Sequence, residues 1–329
     1  MKPGARDRRG MALLTVLLLV AVMAALCVVL LDDVRFSVRR TTNAERQAQA
    51  QGFAAGAEAL ARRRLSDLVR ADPARTPLQP QWNGRVFSLP LEEGEGRAVI
   101  RDGQSCFNLN SLVLGQGEDL MARPEGAAQF IALGAALGVP RGRMATVAAA
   151  LTDWMDGDAE VSPQGAEDAA YASRPTPYRT GGVMLAEVSE LRAVSGVDDA
   201  LYRRLRPYLC ALPEARLSPL NVNTLEPQDA VLLVAISRGV VGLNAAKAAI
   251  AARPAMGWSS PDAFWAQPAL SGVVVVDEET KGQITLATRY FDLRVEIEHG
   301  DARAVRTALI HVAPDGAART VIRRWTPEE

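Results

Sequence analysis

The sequence predicts an α+β fold: a long N-terminal helix laid on an antiparallel sheet, with a large all-α insertion between its early and late strands. Three observations predict it. An apolar run from Met11 to Leu31 continues without proline as far as Leu68. Alternation of apolar and polar residues marks a short early stretch and, more strongly, the C-terminal residues. Between them lies a long segment of helix-like runs punctuated by glycine and proline.

The chain has 329 residues, room for about two domains with their own cores. Hydrophobic residues make up 48% but aromatics only 5%, so the core must be built from Ala, Leu and Val. The net charge of −1 provides no general attraction to nucleic acid or anionic lipid.

Met11 to Leu31 is interrupted only by Thr15. As a helix it would span about 30 Å, the thickness of a bilayer core. Ahead of it, Lys2, Arg6, Arg8 and Arg9 face a single Asp7. That excess keeps the N-terminus cytoplasmic and sends everything after Leu31 to the other side. The run exceeds the about 7–15 residues of a secretory signal core, and no small-x-small cleavage site follows it. Bulky Leu26 before Cys27 does not fit a lipidated cysteine. A plain uncleaved anchor accounts for everything except Gly10, which sits between the basic leader and the apolar run.

Beyond the span, Val34, Val38, Ala48, Phe53, Ala57, Leu60 and Leu68 recur at helical spacing, with Arg and Gln on the other face. Asp72-Pro73 ends the run, because a residue before proline is pushed out of the α region. One helix is therefore expected, half in the membrane (residues 11–31) and half amphipathic (32–72). The basic leader, Gly10 and the hydrophobic helix together resemble the type IV prepilin signal. That resemblance implies removal of residues 1–10 by a prepilin peptidase and methylation of the new N-terminus, Met11. Most pilins carry Glu at the fifth mature position, where it neutralises a neighbour's buried ammonium. Here that position is Thr15, whose hydroxyl cannot offset a buried charge.

After a proline-containing loop, Arg85–Leu91 and Gly96–Arg101 flank the turn Glu92-Glu93-Gly94-Glu95 and read as a hairpin. Phe291, Leu293, Val295 and Ile297 alternate with charged residues. Val305–Val312 and Thr320–Trp325 follow across Gly300-Asp301 and Asp315-Gly316, giving an antiparallel meander. The segments are then 73–117 for the first part of the α/β domain, 118–215 for a helical insertion, 216–270 for a second helical segment, and 271–329 for the late strands. Within the helical part, Phe130–Leu137, Met144–Trp154, Glu187–Val194 and Ala200–Leu209 are helix-like.

Ser105-Cys106-Phe107-Asn108-Leu109-Asn110-Ser111-Leu112 resembles a signature of the K-type minor pseudopilins of type II secretion systems. So do Asp153-Trp154-Met155-Asp156-Gly157-Asp158, Gly165-Ala166-Glu167-Asp168 with Tyr171, and Asn221-Val222-Asn223-Thr224. The matches follow the family's order, and the family also typically lacks the fifth-position Glu. The resemblance implies a pilin-like fold and a single-pass protein of the bacterial inner membrane with its bulk in the periplasm. It implies a role at the tip of the pseudopilus, initiating assembly for export of folded proteins. The implied partners are the I and J minor pseudopilins, the major pseudopilin and the inner-membrane assembly platform.

Asp156, Asp158, Glu160, Glu167 and Asp168 are the candidate metal ligands, since clustered hard carboxylate oxygens suit Ca²⁺. The first four fall at the first, third, fifth and twelfth places of a helix–loop–helix calcium site. Val161 stands where that loop needs glycine, so this is not an EF-hand. The ordinary alternative is a solvated acidic loop. Against it, carboxylates held this close repel unless a cation or protons intervene, and the resemblance implies calcium in the helical domain. Asp153, one turn upstream, is a candidate helix brace. Cys106 and Cys210 are the only possible pair outside the apolar segment: a disulfide if the bulk is exported, two buried thiols otherwise.

Catalysis has little support. There is no P-loop, HExxH or nucleophile elbow, and the two histidines, His299 and His311, lie in or beside predicted strands, where surface or edge placement is expected. The rival reading is a membrane-anchored periplasmic DNA-binding protein of the DNA-uptake kind. Asn221-Val222-Asn223-Thr224 and the helices that follow it resemble a helix-hairpin-helix unit, with Arg238-Gly239-Val240-Val241-Gly242 as its turn. Only Arg238 and Lys247 stand nearby as cations, which points to a packing unit without phosphate contacts.

Overall fold

The computed structural model describes residues 5–117, 119–271 and 276–326. Helix α1 runs from Ala5 to Ala71, about 100 Å at 1.5 Å per residue. The expected cut between Gly10 and Met11 falls within it. Leader residues 1–4, and Glu118 where the insertion was expected to start, lie outside the described residues. Met11–Ala71 includes a stretch long and apolar enough to cross a membrane by length and composition, and none of that stretch is buried within the protein. The helix stops before Asp72, whose Oδ1 accepts the backbone N–H groups of Ala74 and Arg75 and turns the chain.

The C-terminal half of α1 packs on a five-stranded antiparallel sheet of order β1 (Val86–Leu91), β2 (Gly94–Asp102), β9 (Tyr290–His299), β10 (Ala302–Val312) and β11 (Ala318–Arg324). Strands β1 (Val86–Leu91) and β2 (Gly94–Asp102) form the expected hairpin, but with a tighter turn, since Leu91 already faces Gly94. Gly94 is obligatory: a Cβ there would lie 2.0 Å from the Glu298 carbonyl oxygen. Strands β9 (Tyr290–His299), β10 (Ala302–Val312) and β11 (Ala318–Arg324) are the meander. Thus the first two strands meet the last three across the whole insertion.

The stripe of α1 that meets the sheet differs from the one the spacing predicts. Ala50, Ala54, Glu58, Ala61, Leu65 and Val69 are buried, whereas Val34, Val38, Phe53 and Leu60 are exposed. Ala57 and Leu68 pack only at its margin. Small side chains let the helix backbone approach β9 and β10 closely, which larger residues would prevent. His299 is also corrected: it is buried at the end of β9, with Nε2 2.7 Å from Gln49 Oε1 and its ring edge-on to Phe53.

The remaining elements build a helical body beside the sheet: β3 (Phe107–Asn108), β4 (Val113–Gln116), β5 (Asp119–Ala122), α2 (Pro124–Ala136), α3 (Arg141–Met155), α4 (Asp168–Ala172), α5 (Asp199–Leu205), β6 (Leu209–Cys210), β7 (Leu220–Asn221), α6 (Ala230–Ile236), α7 (Leu243–Ala251), α8 (Pro261–Trp265), α9 (Glu278–Gly282) and β8 (Ile284–Thr285). The β4–β5 hairpin had no clear alternation in the sequence. One continuous cluster of buried side chains reaches from Phe107 to Leu286, so residues 118–215 and 216–270 share a core.

Two Asn-x-Asn motifs hold this body together. Asn108 and Asn110 are fully buried. Asn110 donates from Nδ2 to the Leu185 and Leu212 carbonyls, 2.9 Å each, and accepts Leu185 N–H at 2.8 Å. Asn108 accepts Leu212 N–H and donates to the Glu214 and Arg216 carbonyls. Asn223 does the same for Trp258, accepting its N–H at 2.7 Å and donating to its carbonyl. A side-chain amide has a donor and an acceptor side by side, so it pairs with a passing backbone as another strand would. Beside each motif runs a short parallel ladder, β3 with β6 and β7 with β8.

Candidate functional site

Helix α3 ends at Met155, and the chain crosses an acidic loop before α4 begins at Asp168. Trp154 anchors the loop from below: its ring meets Tyr171 at 5.2 Å and Tyr178 at 6.0 Å, and its carbonyl accepts the N–H groups of Gly181 and Gly182. Gly157 N–H donates to the Leu120 carbonyl and ties the loop to β5. Buried Asp153 accepts Ser162 N–H and braces the loop's far side. Gly165 lies against that carboxylate so closely that a Cβ would come within 2.0 Å of it.

The loop gathers Asp156, Asp158 and Glu167, each with a carboxylate oxygen within 4.8 Å of the others. Asp156 and Glu167 are buried, and Asp158 is exposed. Asp156 Oδ1 and Glu167 Oε1 are buried without a hydrogen-bond partner among the described residues. Burial, then the charges of Asp158, Asp153 and Glu167, push the Asp156 carboxyl up to about 7. Burial raises Glu167 as well, with Asp153, Asp168 and Asp158 adding to the effect. Convergent hard oxygens, two of them unpartnered, fit a hard divalent cation, whose charge would reverse this repulsion.

The other two candidates are not in the trio. Asp168 turns away: its Oδ1 accepts the N–H and hydroxyl of Thr180 at 2.9 and 3.0 Å, which holds its carboxyl below the usual range. Glu160 is exposed and supplies only its backbone N–H, to Asp158 Oδ1. Spacing along the loop could not separate these residues, because Glu167 caps α4 and the helix start rotates Asp168 outward.

Cys106 and Cys210 are bonded, with Cα atoms 5.7 Å apart, a link between the β3 and β6 ends across 104 residues. Cys27 is exposed on α1. Glu58 is a feature the sequence left unmarked. Its buried carboxylate accepts Arg306 Nε at 2.6 Å, the Thr320 hydroxyl at 2.6 Å, and Arg323 Nε and Nη2 at 3.0 and 2.6 Å. Burial pushes this carboxyl up, but the bonds from Arg323, Thr320 and Arg306 outweigh it and hold it at about 2. An acid at the centre of an alanine stripe was the available signal.

The helix-hairpin-helix-like unit is a packing element. All of α6 is buried. Arg238 at the turn pairs with Asp277, so one of the two cations that a phosphate would need already has a carboxylate.

Two family models of the type II secretion system (T2SS) protein K match residues 105–214 and 220–286. The chain is 35% identical over 310 residues to the type II secretion system protein K of Pectobacterium carotovorum subsp. carotovorum, covering 93% of each. It is 38% identical to that of Aeromonas hydrophila, covering 92% of each. It also matches a chain in the crystal structure of the GspK-GspI-GspJ complex from the enterotoxigenic Escherichia coli Type 2 Secretion System. There the TM-score is 0.77 at 33% identity, over 88% of this chain and 100% of that one. With its long helix on a sheet, its interposed helical body and these relatives, the chain belongs to the type II secretion system protein K family and is a minor pseudopilin.

Proposed function

We propose that this pseudopilin caps the pseudopilus tip and initiates its assembly, with its bulk in the periplasm and Met11–Leu31 held first in the inner membrane and then in the filament. It works by assembly rather than catalysis. The observation that carries the reading is Thr15, at the fifth position after Gly10. Its hydroxyl donates to the Ala12 carbonyl at 2.9 Å, within its own helix, so no carboxylate is offered to the ammonium of a subunit above. A helical body of this size beside the sheet also fits the end of a filament better than its interior. The I and J minor pseudopilins are the expected neighbours, as in the complex of the related protein. The major pseudopilin, the assembly platform and a prepilin peptidase acting after Gly10 complete the partner set.

Asp156, Asp158 and Glu167 would hold a structural Ca²⁺, which supplies countercharge and cross-links the acidic loop to α4. The loop ties to β5 and to the Trp154 carbonyl would then transmit that rigidity to the helical body. The first test is the intact mass of the chain co-expressed with a prepilin peptidase, which decides processing and leaves the tip position to the Thr15 substitution below. Loss of residues 1–10 and gain of one methyl is expected. An uncut chain, with the peptidase active on a control, would reduce it to a plain membrane anchor.

A further inference from the structure

Asp102 closes β2 where the sheet meets the helical body, and it is buried. Its Oδ1 accepts the Gln104 N–H at 2.8 Å. Its Oδ2 lies 2.6 Å from the Thr224 hydroxyl and 2.5 Å from the Thr288 hydroxyl. Thr224 belongs to the helical body, just after β7, and Thr288 to the link between β8 and β9. The carboxyl therefore joins segments 122 and 186 residues away in the chain. Other bonds run through the same joint. Asn83 Oδ1 accepts the Asp102 N–H at 3.0 Å, and Asn221 Nδ2 donates to the Thr288 hydroxyl oxygen at 2.9 Å.

Counting hydrogens decides the form of this carboxyl, because a hydroxyl donates only once. Thr288 receives Asn221 Nδ2 and donates to Asp102 Oδ2. The Thr224 hydroxyl has two oxygens within reach, Asp102 Oδ2 and the Asn221 carbonyl at 2.9 Å. With Asp102 ionised, one of those two contacts is a pair of oxygens with no hydrogen between them. With a proton on Oδ2 every contact is satisfied: Oδ2–H donates to the Thr224 oxygen, and Thr224 O–H donates to the Asn221 carbonyl. The groups facing the carboxyl from the loop before β1, from the body and from the approach to β9 are Asn83, Asn221, Thr224 and Thr288, all uncharged. The charge that bears on the site is Asp229, another acid. Burial pushes the Asp102 carboxyl above its usual range, against the opposing pull of the Thr224 and Thr288 hydroxyls and the Gln104 N–H.

We propose that Asp102 is a neutral carboxylic acid in the folded protein and that its proton is the latch holding the helical body on the sheet. Opening the joint to water lets the acid ionise at its ordinary value of about 4. A carboxyl that is harder to ionise when folded contributes its stability below that value and loses it as pH rises. Each pH unit above about 4 therefore favours the open joint tenfold. The body is held firmly in acid and loosens as the surroundings become alkaline. This latch rests on neither the tip position nor a bound cation.

The experiment compares the full parent chain with Asp102→Asn in detergent by hydrogen exchange from pH 5 to 8, each rate referred to the intrinsic rate at that pH. In the parent, opening at the Gln104 and Thr288 amides should rise about tenfold per pH unit. Opening at Leu185, whose N–H is held by Asn110 Oδ1, should stay level. In Asp102→Asn, which has no proton to lose there, all three should stay level. Both chains share the acidic loop, so its titration cancels in the comparison. Carbon-13 NMR of the parent with labelled aspartate reads the proton without any substitution: at pH 6 the Asp102 carboxyl carbon should resonate as a protonated acid. A carboxylate resonance at pH 6, a level profile in the parent, a slope that persists in Asp102→Asn, or Leu185 rising in step with Gln104 and Thr288 would each overturn the proposal.

Discussion

Replacing Glu58 by Gln tests the junction of helix and sheet. The carboxylate accepts four hydrogen bonds, and Arg306, the more buried of its two cations, has a side chain only 8% exposed. Gln keeps the shape but turns an NH₂ toward donors and leaves the Arg306 charge buried without a counterion. Breaking a buried pair in this way costs about 3–5 kcal/mol, on the order of a 10 °C fall in melting temperature for a domain of this size. The assay is thermal and urea unfolding of the purified chain in detergent. The pH dependence gives a second reading. The folded Glu58 carboxyl sits at about 2, below an unfolded value of about 4.3. Its stabilisation is therefore complete above about pH 5 and is lost as pH falls through 2. The shift corresponds to about 3 kcal/mol. Water reaching Arg323, whose side chain is 47% exposed, reduces this to about 2 kcal/mol. Glu58→Gln should remove that acid dependence. Replacing Glu58 and Arg306 together by Met should recover most of the loss, since no charge is then stranded. A Glu58→Gln chain within about 1 kcal/mol of the parent, with the acid limb of its stability curve unchanged, would refute the reasoning.

Three further outcomes are expected. Chelator should lower the melting temperature of the parent chain, and Asp158→Asn with Glu167→Gln should abolish that sensitivity; a parent that melts identically with and without chelator has no structural calcium. Cys106→Ser with Cys210→Ser frees a connection of 104 residues and should cost about 2–5 kcal/mol relative to the parent, measured by urea unfolding of both chains; reductant should lower the parent to the level of the variant, and equal stability of parent and variant would show that the bond contributes nothing. Thr15→Glu should leave secretion in a reconstituted system unchanged, because a tip subunit has no ammonium above it; improved assembly would reveal an ammonium above it, and a strong defect would likewise count against the tip position.

The acidic loop is where a chelator is expected to act. Asp156 and Glu167 are buried among like charges with unpartnered oxygens, a costly arrangement unless a cation or protons neutralise it. The same loop is otherwise well held, by Trp154, Asp153 and the backbone bonds of Gly157. If the proposed cation is held there, a chelator should loosen the loop and α4 first, while the Asn108 and Asn110 bonds keep the body's core together.

By itself the sequence determined the long helix, the first hairpin, the late meander and the larger helices between them, but not the short strands β3 to β8. Proline-free periodicity showed where α1 runs and ends, alternation located both hairpin and meander, and the Asn-x-Asn and acidic motifs pointed to the family. These are local signals, set by helical and strand repeats within a few residues. The tertiary structure decided partners. The buried face of α1 follows Ala50, Ala54 and Ala61 rather than the larger Phe53 and Leu60, because the distance of closest approach to β9 and β10 selects small side chains. Asp168 leaves the acidic cluster because Thr180, brought in from a later loop, satisfies it. His299 is buried because α1 crosses the end of its strand. Cys106 meets Cys210, Asn110 meets Leu185, and Glu58 meets Arg306 across separations of 104, 75 and 248 residues. At such distances residue spacing carries no information about contact, and only closure of the sheet around the insertion brings the groups together.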